Sequence, residues 1–305
     1  MKSVFIGSGV ALVTPFRKDG SINEEMLEEL VEYHCENQTD ALIICGTTGE
    51  SATLSEEERL FCIRRAVEFA KGRVPIIAGT GTNCTQTTVQ LSKDAENCGA
   101  DGVLVVTPYY NKPTQRGLIA HYGKIAENIR IPIILYNVGS RTGCNIEPET
   151  VAQLMKNEEN IVAIKEASGN ISQVARIMEL TEGKTDIYAG NDNQIVPVLS
   201  LGGKGVISVL ANIAPKEVHK ICENFLSGNI KESCALQLKA LPLIRQLFCE
   251  VNPIPIKKAL SLMGKDVGGL RMPLLELEEE KERTLARIMC EYGIELSGEG
   301  NIWLT

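Results

Sequence analysis

Eight times along this chain a short apolar run rich in β-branched residues is followed by a stretch of helical periodicity. The runs cover residues 10–13, 41–44, 75–78, 103–106, 133–136, 161–165, 187–189 and 206–209. Strands that are apolar throughout must be buried on both faces, which implies a parallel sheet covered by helices. Eight such units close into a (β/α)8 TIM barrel, an α/β fold. A doubly wound sheet is the competing architecture, but it calls for G-x-G-x-x-G, and Gly79-Thr80-Gly81-Thr82-Asn83-Cys84 stops short of the third glycine. Beyond Gly228 the pattern is helical only, over 230–249, 256–263 and 276–292. The expected division is a barrel catalytic domain over 1–228 and a C-terminal helical extension over 229–305. Its tail, 297–305, carries the only tryptophan, Trp303. Ser21-Ile22-Asn23-Glu24 and Ser55-Glu56-Glu57-Glu58 both read as capping boxes that open helices.

Charge and cysteine usage narrow the function. The 305 residues hold 31 Lys+Arg against 39 Asp+Glu, a net charge of −8. That balance offers no basic footprint for nucleic acid or an anionic membrane. The ten cysteines are scattered singly, with no C-x-x-C pair, so neither a disulfide scaffold nor a zinc site is expected. Free, mostly buried thiols in a reducing cytosol fit better. Residues 4–13 read as a first strand rather than a signal peptide, since glycines interrupt them and Pro15 and Arg17 follow. No run reaches the ~18–20 apolar residues of a membrane span. A soluble, cytoplasmic protein is the expectation.

Barrel enzymes place their chemistry at the C-terminal ends of the strands. There the sequence sets Gly46-Thr47-Thr48-Gly49-Glu50, Thr107-Pro108-Tyr109-Tyr110-Asn111, Tyr136-Asn137, Lys165-Glu166, Gly190-Asn191-Asp192 and Gly205-Val206-Ile207-Ser208. Lys165 is the sharpest candidate. Period-2 alternation puts Ile161, Ala163 and Lys165 on one face of the sixth strand and Val162 and Ile164 on the other. The branched pair suits the helix side, so Lys165 should point into the barrel. Burial there disfavours the ammonium and lowers its pKa, and a neutral amine can form a Schiff base with a ketone. The alternative is a structural lysine paired with Glu166. The Gly46–Gly49 stretch offers hydroxyls and free N–H groups to a small carboxylate, or is a plain turn. Tyr136 could pass protons at an imine, or is a core aromatic. His34, His121 and His219 all fall on helical stretches, unpaired, so a metal site at the strand ends is not expected and each reads as an ordinary surface or helix residue. No cofactor is called for.

Several motifs, in order, resemble the pyruvate-dependent class I aldolase family of N-acetylneuraminate lyase and dihydrodipicolinate synthase, with the dihydrodipicolinate synthases the nearest branch. They are Gly46-Thr47-Thr48-Gly49-Glu50-Ser51, Thr107-Pro108-Tyr109-Tyr110-Asn111, Leu135-Tyr136-Asn137-Val138-Gly139-Ser140-Arg141-Thr142-Gly143, Ile164-Lys165-Glu166-Ala167-Ser168-Gly169 and Asn252-Pro253-Ile254-Pro255. The similarity runs from about Gly9 to Arg271. It implies a lyase that condenses pyruvate with L-aspartate-4-semialdehyde to 4-hydroxy-tetrahydrodipicolinate, the committed step towards diaminopimelate and lysine. It also implies that Lys165 forms the imine, with Tyr136 relaying protons through Thr47 to a Tyr110 supplied by a neighbouring subunit. Such an enzyme works as a tight dimer, usually paired into a homotetramer. The resemblance further implies that Thr48 holds the pyruvate carboxylate, that main-chain groups at Gly190 and Ile207 line the site, and that Arg141 binds the acceptor carboxylate through its planar fork.

A sibling aldolase acting on a 2-keto-3-deoxy sugar acid or sialic acid would keep Lys165 and Tyr136, but such relatives generally lack an arginine at 141. A silent binding protein on the same barrel would be expected to lose the lysine or tyrosine. Gly139 departs from the family's usual proline and is expected to loosen the Arg141 loop. Many relatives are inhibited by lysine in a cleft matched here by Ser51, Ala52, Asn83 and Tyr109. Glu56 and Arg59 stand where inhibited relatives carry histidines, and Thr87 where they carry a glutamate. Weak or absent lysine feedback follows from that comparison.

Overall fold

The computed structural model describes residues 3–297; Trp303 and most of the tail lie outside the described residues. Eight parallel strands close a barrel in sequence order: β1 (Gly7–Ala11), β2 (Ala41–Ile44), β3 (Ile76–Gly79), β4 (Gly102–Val106), β5 (Ile133–Asn137), β6 (Ile161–Glu166), β7 (Asp186–Ala189) and β8 (Gly205–Ser208). Helices α1 (Glu24–Glu36), α2 (Glu56–Ala70), α3 (Thr85–Asn97), α4 (Gln115–Ala126), α5 (Gly139–Thr142), α6 (Pro148–Asn157), α7 (Ile171–Leu180), α8 (Ile195–Ser200) and α9 (Pro215–Leu226) alternate with them. The chain ends in α10 (Ile230–Gln246), α11 (Ile254–Leu262) and α12 (Glu279–Tyr292). The TIM barrel with C-terminal helices expected from the eightfold alternation is the fold observed. Among the described residues, no helix is long and apolar enough to cross a membrane.

The first strand begins three residues earlier than its apolar run. Gly7, Ser8 and Gly9 fall within the 4–13 stretch read as a first strand, and the barrel floor requires small residues there. A Cβ on Gly9 would lie 2.8 Å from both Ile43 and Phe5. Phe5 occupies that space, stacked on Tyr188 at 4.2 Å, while the Tyr188 hydroxyl donates to the Phe5 carbonyl at 2.7 Å.

Two apolar layers result, one inside the barrel (Ile43, Ile77, Leu104, Ile134, Ala163, Ile207) and one between strands and helices. β6 alters the expected phase. Its pairing with β5 slips between Ile133 and Ile134, so Ile161 joins the outer layer and Val162 packs on the inner one. A bulge inserts one residue and resets which face follows. From Ala163 onward the expected alternation holds, with Ala163 inside and Ile164 outside.

The box at Ser55 forms as expected: its hydroxyl accepts from Glu58 N, and Glu58 reaches back to Ser55 N. Ser21 does not cap α1. Its hydroxyl turns back to Asp19, and Asn23 takes the cap instead, accepting from Met26 N. The Phe16–Ile22 bridge keeps residues 17–21 in a tight loop, which moves the helix start beyond Ser21. The cysteines form no disulfides, but only Cys45, Cys62, Cys144 and Cys222 are buried; Cys84 is exposed and the rest are half-buried.

All three histidines lie on helices, though His34 and His121 are buried rather than at the surface. Burial lowers their pKa values from the usual 6.5 to about 3 and about 4. His219 behaves oppositely. Its Nδ1 lies 2.9 Å from Asp40 Oδ2, which also accepts Ser8 N at 2.7 Å, so one carboxylate ties α9 to the lower ends of β1 and β2. That hydrogen bond outweighs burial and raises the His219 pKa above its usual 6.5. A raised folded-state pKa stabilises fully below the unfolded value, and the stabilisation fades as pH climbs through the folded one. The urea midpoint should therefore fall as pH rises from 6.5 upward, more steeply than in His219→Gln. Parallel midpoint-versus-pH curves would remove His219 from the stability balance.

Candidate active site

β5 and β6 deliver the two central groups side by side. Tyr136 pairs in register with Lys165, whose other neighbour is Tyr188 on β7. The Lys165 ammonium sits 4.4 Å from the Tyr136 ring centre, and Lys165 is only 6% exposed. Both point inward, Tyr136 as part of the inner apolar layer.

Glu166 is not the partner of that lysine. It faces away and accepts from Ser168 N at 2.7 Å, Gln173 Nε2 at 2.9 Å and Asn137 Nδ2 at 3.0 Å. Among the described residues no carboxylate forms an ion pair with Lys165. One acid that feels the Lys165 charge is Asp192, buried after β7. Its Oδ2 accepts from Val209 N at 3.0 Å and Leu210 N at 2.9 Å. Burial pushes the Asp192 carboxyl pKa up, while its hydrogen bonds and the Lys165 charge pull the other way. Sequence reasoning named Asp192 only as a neighbour of Gly190, because its contact with β8 is made by folding.

Gly190 closes the β6–β7 junction. Its N–H donates to the Glu166 carbonyl at 2.8 Å, and a Cβ there would come within 2.5 Å of the Ala167 methyl. Only glycine lets the strands approach so closely beside Lys165. Ile207 on β8 is fully buried in the inner layer.

Above the barrel a cavity of about 320 Å³ is walled by Thr47, Ser51, Arg59, Tyr109, Arg141 and Asn252, among others. Thr47 and Thr48 lie in a loop bracketed by two residues with left-handed backbone, Cys45 (φ 56°) and Glu50 (φ 53°). Non-glycine residues adopt that conformation at a cost of about 1–3 kcal/mol each, so something must hold it. At Glu50 the carboxylate accepts Lys257 Nζ at 2.8 Å and Arg271 N at 3.0 Å. Both members of the Lys257–Glu50 pair are almost wholly buried. Burial lowers the Lys257 pKa, against the attraction of Glu50.

Thr48 Oγ1 accepts from Asn252 Nδ2 at 2.9 Å, and the Asn252 carbonyl accepts from Arg141 Nη2 at 3.1 Å. Arg141 stands in the short helix α5, where Val138 O accepts from Arg141 N and Thr142 N. The turn is thus formed with Gly139 as its first residue, and a Cβ at Gly139 would meet only the Cys144 carbonyl, at 3.7 Å. The looseness expected of that glycine is countered by hydrogen bonds on either side of Arg141.

The structure therefore gathers Lys165 with Tyr136 inside the barrel, and Thr47, Thr48 and Arg141 at its mouth. Tyr110 is not drawn in. Its side chain is 93% exposed, on a residue with φ 68°. Asn252, Lys257 and Glu50 are supporting residues whose role no motif or spacing revealed. Asn252 and Glu50 were visible as motif members, but no local spacing connects groups more than 200 residues apart.

A family model described as the dihydrodipicolinate synthetase family matches residues 4–291. The 4-hydroxy-tetrahydrodipicolinate synthase of Lachnoclostridium phytofermentans is 57% identical over 292 residues, 96% of this chain and 99% of that protein. The crystal structure of dihydrodipicolinate synthase from Aquifex aeolicus superposes with a TM-score of 0.94 at 42% identity, covering 96% of this chain and 100% of that one. The enzyme from Cyanidioschyzon merolae, crystallised with lysine bound, gives a TM-score of 0.94 at 40% identity over 96% of this chain and 100% of that one.

Proposed function

The chain belongs to the dihydrodipicolinate synthetase family, and we propose that Lys165, with Tyr136 beside it, carries the family reaction here. That reaction is the condensation of pyruvate with L-aspartate-4-semialdehyde to 4-hydroxy-tetrahydrodipicolinate, in lysine and diaminopimelate biosynthesis. The protein is a lyase of the class I aldolase type. Relatives over nearly the full length are synthases, so the sugar-acid aldolase and the silent binding protein are not favoured.

The observation that carries the residue assignment is a buried lysine with no carboxylate partner among the described residues, 4.4 Å from a tyrosine ring. Lys165 Nζ adds to the pyruvate carbonyl carbon, and loss of water leaves the imine. Tyr136 gives and takes the protons of that step, relayed through Thr47 to Tyr110. Loss of a methyl proton turns the imine into an enamine, whose carbon attacks the aldehyde carbon of the second substrate. The aldehyde oxygen takes up a proton and remains as the product hydroxyl. The substrate's own amino group then displaces Lys165 from the imine carbon, closing the ring and freeing the lysine. Thr48 holds the pyruvate carboxylate, main-chain groups at Gly190 and Ile207 line the site, and Arg141 takes the acceptor carboxylate.

A Tyr110 ring that is almost fully exposed in one chain suits a role in the site of a second copy. We therefore read the working unit as a homodimer, paired into a homotetramer, and the compartment as the cytoplasm.

Three outcomes test these assignments. Borohydride reduction in the presence of pyruvate should attach the three-carbon unit to Lys165, as peptide mass mapping will show. Lys165→Ala should lose several orders of magnitude in turnover. Label on another lysine would overturn the assignment.

Arg141→Ala should weaken the semialdehyde far more than pyruvate, since a charge-assisted contact of about 1.5–3 kcal/mol is lost, about tenfold or more in KM. An unchanged acceptor KM and rate would contradict the role.

The third outcome concerns lysine. Glu56 lies exposed in the first turn of α2, whereas Arg59 turns into the cavity and donates to the Ser51 carbonyl at 2.9 Å. A fixed guanidinium repels an incoming ammonium, and Thr87 brings no charge to offset it. Steady-state rates should therefore stay level through millimolar lysine, and half-maximal inhibition below that range would reverse the reading.

A further inference from the structure

Asn252 joins the two ends of the substrate site, although it lies outside the barrel in the turn between α10 and α11. Its side-chain amide donates to Thr48 Oγ1 at 2.9 Å, and its carbonyl accepts from Arg141 at 3.1 Å. The residue is only 5% exposed and forms part of the cavity wall.

A threonine hydroxyl has one proton and two lone pairs. With Asn252 donating to one lone pair, the proton of Thr48 stays free, and among the described residues it has no acceptor. Thr48 is thereby set as a donor, the polarity that a carboxylate requires. A residue donating nothing at position 252 would leave the hydroxyl free to rotate. A residue able only to accept would take up the Thr48 proton itself.

A second observation shows that stability alone does not explain this amide. Its Oδ1 is buried without a donor among the described residues, an arrangement that costs stability. An apolar side chain would avoid that cost but could not orient Thr48.

We propose that Asn252 is a positioning residue for pyruvate: it fixes the Thr48 hydroxyl as a donor to the pyruvate carboxylate. Its carbonyl separately braces Arg141 for the acceptor. The inference rests on the reading above, in which Thr48 holds that carboxylate.

The backbone and side-chain roles separate by mutation. Asn252→Asp keeps the size and the carbonyl to Arg141 but replaces the donor by acceptors. The KM for pyruvate should rise about tenfold or more, while the semialdehyde KM stays within about twofold and kcat is largely kept. Borohydride labelling of Lys165 should still reach completion at saturating pyruvate.

If Asn252→Asp does not fold, Asn252→Ala and Thr48→Val give a double-mutant cycle. Once the hydroxyl is gone, removing Asn252 should add little to the pyruvate KM. An unchanged pyruvate KM overturns the proposal, as do fully additive effects or an equal rise in both KM values. Absence of label on Lys165 in the unaltered protein would instead overturn the imine reading and leave the Asn252–Thr48 coupling to be judged by the KM cycle.

Discussion

Burying an amine inside a closed apolar barrel without a paired carboxylate is costly, because the charged form loses its hydration. The surroundings of Lys165 are arranged around that cost. The one carboxylate adjacent in sequence, Glu166, is drawn to the opposite face of β6 and occupied by donors from Asn137, Ser168 and Gln173. The buried Asp192 gives one carboxylate oxygen, Oδ2, to the N–H groups of Val209 and Leu210. The Lys165 side chain lies instead over the face of Tyr136. An amine with no ion-pair partner of its own suits the imine role proposed for it.

The barrel alone does not complete the site. The loop that carries Thr47 and Thr48 is bracketed by left-handed residues, and its far end is held by Lys257 from α11 through a buried ion pair. Breaking such a pair by removing one partner costs about 3–5 kcal/mol, since the other charge is left buried. The C-terminal helices therefore support the candidate site together with the barrel. Asn252 extends the same arrangement to Arg141, so the regions proposed for the two substrates are referenced to one turn outside the barrel.

Gly190 and Gly9 show the same economy at backbone level. Each lies where a neighbouring chain or ring comes too close for a Cβ. One lets β6 and β7 meet beside Lys165, and the other opens the barrel floor for Phe5. In both cases glycine is dictated by an approach across the barrel and not by a turn.

Much of this was legible in the residues. The eightfold repeat of apolar run and helix determines a parallel sheet covered on both faces, because strands apolar on both faces can be satisfied only between layers. The motifs at the strand ends pointed to the lysine, the tyrosine and the arginine. Tertiary structure alone decided the rest. The slip between β5 and β6 inverted Ile161 and Val162, since register depends on the partner strand and not on alternation within one strand. Ser21 yielded its cap to Asn23 because a loop pairing outside the helix claimed that segment. The contacts of Asn252 with Thr48 and of Lys257 with Glu50 each span more than 200 residues. Sequence periodicity reports which face of an element is buried, whereas a hydrogen bond between distant elements exists only once barrel closure has fixed their separation.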